Sequence, residues 1–326
     1  MESTTEDLLR SSLTHLLTTH SDGRIGPRLA ELGWEDVMAD DTAGALRLLF
    51  EVRATTLSPA DVLTPVLSRV IADQSGVQDA ASAAIAFPLS LNPSELTSSW
   101  DGASVEMDGI CPSPPDDGPL LVPTLGPQGP TLLLLNPDDT QPVAVSPLAG
   151  MDPSVGDRIK ATFAADHGVR DLGAPAWEQA VTTGRWAVAT ELVTLALSVL
   201  DDAVQYAGAR HQYGRPIGTF QALQQRLAAA HASSVGAAHV VREASESGRS
   251  WDALVAKALA GRAAESACTQ AQQCFGAIGF TWEHHLPHRI RRMYLLDRLF
   301  GDWRSLEAEI GSALLHTREV PRVGAL

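Results

Sequence analysis

The hydrophobic pattern of this chain changes twice along its length. Over residues 1 to about 85, glycine and proline are sparse and apolar residues recur at helical spacing. Leu8, Leu9, Ser12, Leu13, Leu16 and Leu17 form one i, i+4, i+8 stripe. A second runs through Leu46, Leu49, Phe50 and Val52, with Asp41 or Thr42 placed to cap it. From about 86 to 165 proline is dense: Pro112, Pro114, Pro115, Pro119, Pro123, Pro127, Pro130, Pro137 and Pro142. The apolar runs there shorten to 120–122, 132–135 and 143–145, with turns expected at 116–118 and 136–139. That texture predicts a small β domain with proline-protected edges. From about 176 onward the pattern is helical again and stronger. Residues 186–209 are apolar almost all round, which predicts the central helix of a bundle, partly covered by another subunit. Further helices are expected over 220–244, over 251–275 with Ser250 as cap, and after the break Gly276-Ala277-Ile278-Gly279. The chain thus reads as mainly α with a small β domain: a helical domain over 1–85, a reduced β domain over 86–165, and an antiparallel four-helix bundle over 166–326.

Charge and composition narrow the partners. A net charge of -15 argues against nucleic acid, which requires a basic face, although Arg289, Arg291, Arg292, Arg298 and Arg304 could form a local basic patch. The longest apolar run, 186–200, contains Glu191 and is followed by Asp201-Asp202. It falls short of the roughly 20 residues that cross a bilayer, so no membrane association is expected. The acidic start MESTTEDLLR lacks the apolar core of a signal peptide. Cys111, Cys268 and Cys274 offer neither metal-ligand spacing nor a disulfide framework, so a cytoplasmic protein with reduced thiols is expected. His284, His285 and His288 cluster, but Pro287 disturbs their helix and no cysteine completes a set, so no metal site is expected.

Two stretches carry more specific chemistry. One runs Ala209-Arg-His-Gln-Tyr-Gly-Arg-Pro-Ile-Gly-Thr-Phe-Gln221, the other Gln273-Cys-Phe-Gly-Ala-Ile-Gly-Phe-Thr-Trp-Glu-His284. In this order, with two helices between their key positions, they resemble the R-x-Q-F/Y-G-x-P-I-G-x-F-Q turn and the Q-x-x-G-G-x-G-F/Y-x-x-E segment of the acyl-CoA dehydrogenase family. The resemblance is dense over about 180–315, weak around Arg28 to Trp34, and textural between. It implies a helical N-terminal domain, a middle β domain and a C-terminal four-helix bundle, the organisation already read from the pattern. It also implies FAD and an acyl-CoA substrate. In the family a carboxylate base removes the α-proton while flavin N5 takes the β-hydride, giving the 2,3-enoyl-CoA. The FAD pyrophosphate suits an arginine fork, and Gly214 and Gly218 allow close backbone approach. Carried over, the residues reaching the ADP half of an FAD seated mostly on a neighbouring subunit are Arg210, Gln212, Tyr213, Gln221, Gln273 and Gly276. Ala277 stands where the family has a second glycine. The competing reading of Arg210 is a surface salt bridge to Asp201 or Asp202.

The family's base is missing. One branch of the family carries its glutamate immediately before a glycine beyond the arginine-rich segment, where this chain has Phe300 before Gly301. The other branch carries it at the start of the helix leading into the first motif, where this chain has Gly184 before Arg185. Neither can take a proton, so no catalytic residue is assigned. Glu191, Glu283 and Asp302 are the carboxylates that could substitute. Nor are the family's flavin-ring segments found between 86 and 165. The resemblance therefore implies the short, base-less subunit of an actinobacterial heterotetramer, a branch that acts on CoA esters including steroid-derived ones. A longer acyl-CoA dehydrogenase subunit would supply the base. Two alternatives stay open: a homo-oligomeric dehydrogenase with a displaced base such as Glu191, and a non-catalytic assembly subunit.

Overall fold

The computed structural model describes residues 3–19, 25–114, 118–136, 143–148, 152–164 and 168–321. Five helices come first: α1 (Ser3–Thr19), α2 (Gly26–Glu31), α3 (Trp34–Asp40), α4 (Thr42–Thr56) and α5 (Leu63–Ser75). Asp41 caps α4 as the sequence predicts, accepting from Gly44 N at 2.9 Å. A Cβ at 44 would stand 2.2 Å from Asp41 Oδ2, so a larger residue there would make the capping carboxylate shift. Both apolar stripes bury: Leu13, Leu16 and Leu17 on α1, and Leu46, Leu49, Phe50 and Val52 on α4. On the first stripe Leu8 and Ser12 are exposed and Leu9 is half-buried.

The middle of the chain forms one sheet. Its strands are β1 (Ala84–Ile85), β2 (Phe87–Pro88), β3 (Ser98–Trp100), β4 (Ser104–Cys111), β5 (Leu120–Gly126), β6 (Gly129–Leu135), β7 (Ala144–Pro147), β8 (Asp157–Ala164) and β9 (Arg170–Asp171). They run in the order β7-β8-β4-β3-β5-β6-β9, with β1 on β5 and β2 on β4. Proline is not confined to the sheet's edges. Pro123 lies inside β5, at the point where the neighbour of β5 changes from β1, paired at Leu120 and Leu121, to β3, paired at Thr124 and Leu125. A missing N–H is tolerated where a ladder is interrupted. Most residues of the turns expected at 116–118 and 136–139 lie outside the described residues.

The bundle follows. It contains α6 (Ala174–Ala209), a short hairpin of β10 (His211–Gln212) and β11 (Arg215–Pro216), α7 (Gln221–Ser247), α8 (Ser250–Phe275), α9 (Leu286–Arg298) and α10 (Trp303–Thr317). Residues 186–208 are helical throughout, as expected, but α6 begins much earlier, with a proline in its first turn. Ser250 is the first residue of α8 rather than its cap. Two helices, not one, follow Gly276, because Asp302 caps a new start at α10. The middle of α6 needs no other subunit to cover it, while its last turns, with Val204 57% exposed, remain open. Every residue from 182 to 193 is buried within the chain itself, against α4, α5, α7, α8 and α9. Periodicity reports how many faces of a helix are apolar, but not which element covers them. No helix among the described residues is long and apolar enough to cross a membrane.

Candidate functional site

The motif residues gather at one end of the bundle. There α6 and α8 finish side by side: the rings of Tyr206 and Phe275 lie 4.9 Å apart, and Cys274 Sγ donates to Ala203 O at 3.4 Å. Arg210 ends α6, its N–H donating to Tyr206 O and its carbonyl accepting from Ile217 N, both at 2.8 Å. These bonds fix the hairpin, which pairs His211 with Pro216 and Gln212 with Arg215. Tyr213 and Gly214 form its tip, both in the left-handed region at φ 52° and 78°, the requirement of a tight two-residue turn. Tyr213 is 94% exposed. Arg210, Gln212, Gln221 and Gln273 are exposed and Gly276 is half-buried. Gly276 takes φ 62° with open space where a Cβ would point, and Ala277 is exposed. Gly218 is a true close approach, because a Cβ there would stand 3.1 Å from Ala207 O.

The Arg210 guanidinium has no hydrogen bond or ion pair among the described residues, and Asp202 is taken by Arg289. An unpaired guanidinium beside exposed amides can take a phosphate group. Of the five arginines that could have made a basic patch, four are engaged elsewhere and Arg298 is exposed. Arg289 pairs with Asp202, Arg291 lies 5.2 Å over the Trp282 ring, Arg292 is buried, and Arg304 pairs with Glu265 at 3.1 Å. His284 Nδ1 accepts from Leu286 N at 3.1 Å, and His288 Nε2 lies 3.2 Å from Trp282 O. Burial, and then neighbouring His285, push the His284 imidazole below its ordinary pKa.

The two positions where a base would stand lie toward the other end of α6, and they meet. A Cβ built on Gly184 would fall 2.4–2.9 Å from three atoms of the Phe300 ring. That ring is buried and packs edge-on against Phe87, centroids 5.9 Å apart at 84°. Phe300 takes φ 64°, and its N–H donates to Leu91 O at 2.9 Å. Two buried cations hold the loop. Lys257 Nζ donates to Asp297 O at 2.9 Å and Gly301 O at 3.1 Å, and Arg185 Nε donates to Phe300 O at 3.4 Å. Burial pushes the Lys257 amine down to about 8, and burial pushes the Asp297 carboxyl up.

None of the three substitute carboxylates is presented as a base. Glu191 is fully buried and both its oxygens are occupied, by Arg53 Nη1 at 2.8 Å and Arg292 Nη1 at 3.0 Å. Asp302 caps α10, accepting from Arg304 N and Ser305 N. Glu283 is exposed. Arg292 also donates to Asp152 Oδ2 at 3.2 Å, Ser58 O at 2.9 Å and Leu57 O at 3.3 Å. This cluster ties α4, the segment before α5, α6, Asp152 and α9 together. Sequence reading missed it; the one signal was a lone glutamate inside an apolar run, which demands a buried partner. A cavity of about 20 Å³ borders the cluster, lined by Arg53, Asp61, Phe87, Leu91, Ile110 and Leu299 among others.

Comparison with known proteins accords with this geometry. Residues 171–310 match the acyl-CoA dehydrogenase C-terminal domain. Acyl-CoA dehydrogenase IpdE2 of Mycolicibacterium smegmatis is 35% identical over 127 residues, 38% of this chain and 41% of that protein. The match therefore spans well under half the length of that relative. Among solved structures, the Tcur3481-Tcur3483 steroid ACAD superposes with a TM-score of 0.75 at 20% identity, covering 96% of this chain and 98% of that one. The ChsE4-ChsE5 complex from Mycobacterium tuberculosis gives 0.74 at 16% identity, covering 99% of each chain. At these identities the likeness is one of fold. The architecture is the acyl-CoA dehydrogenase fold, with helices, sheet and bundle in that order. Residues 171–310 of its bundle match the acyl-CoA dehydrogenase C-terminal domain, and over the rest of the chain the likeness is one of fold.

Proposed function

We propose that this chain is the base-less subunit of an FAD-dependent acyl-CoA dehydrogenase, paired with a longer subunit of the same family that supplies the base and the flavin-ring pocket. One observation carries the reading. Gly184 and Phe300, the two positions where the family would place its glutamate, hold no titratable group, and the ring of one fills the space beside the other. The neighbouring cavity of about 20 Å³ has no room for an acyl chain. Glu191, the strongest alternative base, is committed to two arginines.

The other end of α6 suits the ADP half of FAD. Arg210 would grip the pyrophosphate, Gln212, Gln221 and Gln273 would donate side-chain amides, and Tyr213 and Gly276 would shape the approach. Bound FAD would supply the hydride acceptor; this chain's part is to hold and orient. The proposed substrate is an acyl-CoA, with a steroid-derived CoA ester favoured because a structure of the same fold is a steroid ACAD, and the product is its 2,3-enoyl-CoA. A heterotetramer is favoured because another such structure is a complex of two differently named chains. The cytoplasm is the proposed location.

The test is a flavin count. The chain purified alone should be colourless, and the chain co-expressed with a longer dehydrogenase-like subunit should be yellow and active. A yellow, active preparation of this chain alone would overturn the reading in favour of a displaced base. A complex that never holds flavin would leave an assembly role only. Within the reconstituted complex, Arg210→Ala should weaken FAD binding ~10- to 100-fold by removing one charge-assisted contact, measured by flavin titration with assembly checked separately. Normal flavin affinity in that variant would reduce the motif to a structural turn.

A further inference from the structure

The buried ion-pair cluster leaves polar atoms unmatched at one edge. Arg53 Nε, Asp61 Oδ2 and Thr64 Oγ1 are buried without a hydrogen-bond partner among the described residues. Arg53 is 5% exposed and Asp61 4%. Both side chains line the same cavity of about 20 Å³, whose other walls are mostly apolar: Phe87, Leu91, Ile110 and Leu299. They are close enough for the Asp61 charge to act on the Arg53 guanidinium, yet they form no direct ion pair. Asp61 is fixed in place, because its other oxygen accepts from Thr64 N at 3.0 Å.

We propose that this cavity is the binding site of a single ordered water molecule, which accepts from Arg53 Nε–H and donates to Asp61 Oδ2. The volume suits one water and little more, and the site offers the two or more polar partners such a water needs. Charge selects water over an ion. Two guanidinium groups, on Arg53 and Arg292, face three carboxylates, on Glu191, Asp152 and Asp61, so the surroundings are net negative and repel a halide. A metal or ammonium cation has no lone pair to offer the Arg53 N–H. Water alone among these both accepts and donates. Ser154 lines the same cavity, and its hydroxyl, which donates to Asp152 Oδ1 at 2.6 Å, retains lone pairs for the second proton. The water would link α4 to the segment entering α5, beside the point where helices, sheet and bundle are joined.

A high-resolution crystal structure of the full chain, alone or in its complex, decides the matter. The expected result is a density peak within ~2.7–3.2 Å of both Arg53 Nε and Asp61 Oδ2. A direct Arg53–Asp61 contact, or no peak, would overturn the proposal. A bromide soak with an anomalous peak at the site would replace the water with an anion. Asp61→Leu removes the acceptor and should abolish the peak. If that variant does not fold, Asp61→Asn keeps the helix cap through its one oxygen and turns an N–H toward the site, where the water can accept from it and from Arg53 while donating to Ser154, so the peak should remain. Loss of the peak in Asp61→Asn, with the asparagine in place, would count against the assignment.

Discussion

Glu191→Gln should cost the fold about 3–5 kcal/mol, the range for removing one partner of a buried ion pair. The carboxylate is shared by Arg53 and Arg292. Its neutralisation leaves two buried guanidinium groups facing each other with one oxygen acceptor between them. The measurement is the urea midpoint of the purified chain or complex. A displaced base predicts the reverse, an intact fold with turnover lost, so an unchanged midpoint would return Glu191 to the catalytic candidates. Acid should weaken the same cluster. Burial pushes the Asp152 carboxyl up, but the Arg292 charge and the Ser154 hydrogen bonds outweigh it and hold the group below its ordinary value. Its contribution is therefore full above the unfolded value, near pH 4, and is lost as the pH falls through the lower folded value.

The second large effect concerns the Phe300 ring packed over Gly184. Phe300→Ala should cost about 3–5 kcal/mol, because the buried ring leaves a hole between Gly184 and Phe87. Gly184→Leu alone should also destabilise, by about 1–3 kcal/mol or more, since its Cβ has no room against the ring. In the double variant the leucine enters the space the ring has vacated. The two changes should therefore be strongly non-additive, with Gly184→Leu neutral or stabilising once Phe300 is alanine. Denaturation of all four proteins in one cycle measures this coupling. Additive costs would mean that the two residues do not exclude one another.

Much of the fold was legible in the sequence, and its failures have identifiable causes. The proline-rich strands and the core of α6 announced themselves by spacing. The continuity of α6 was not legible: the pattern is helical from about 176, but Thr182, Thr183 and Gly184 interrupt the apolar run that marks the central helix, and only packing makes the whole one helix. The break between α9 and α10 was hidden because Phe300, not a glycine, takes the first left-handed step before Gly301. For the site, the hairpin end was readable because a turn is local: Arg210, Gly214 and Gln221 lie within one short stretch. The Arg53–Glu191–Arg292 cluster was not. Its members are 138 and 101 residues apart in the chain, and no spacing rule links a lone glutamate to arginines at such distances.

One helix carries both ends of this arrangement. Gly184 and Arg210 sit on α6 and just past its last turn, about 39 Å apart at ~1.5 Å per residue. That separation far exceeds the ~7–10 Å beyond which substitutions act independently. The sealed notch and the cationic hairpin are thus free to evolve separately. On the function proposed here, a lineage could lose its own proton-abstracting group, and close the space behind it, without disturbing the hairpin proposed to hold FAD.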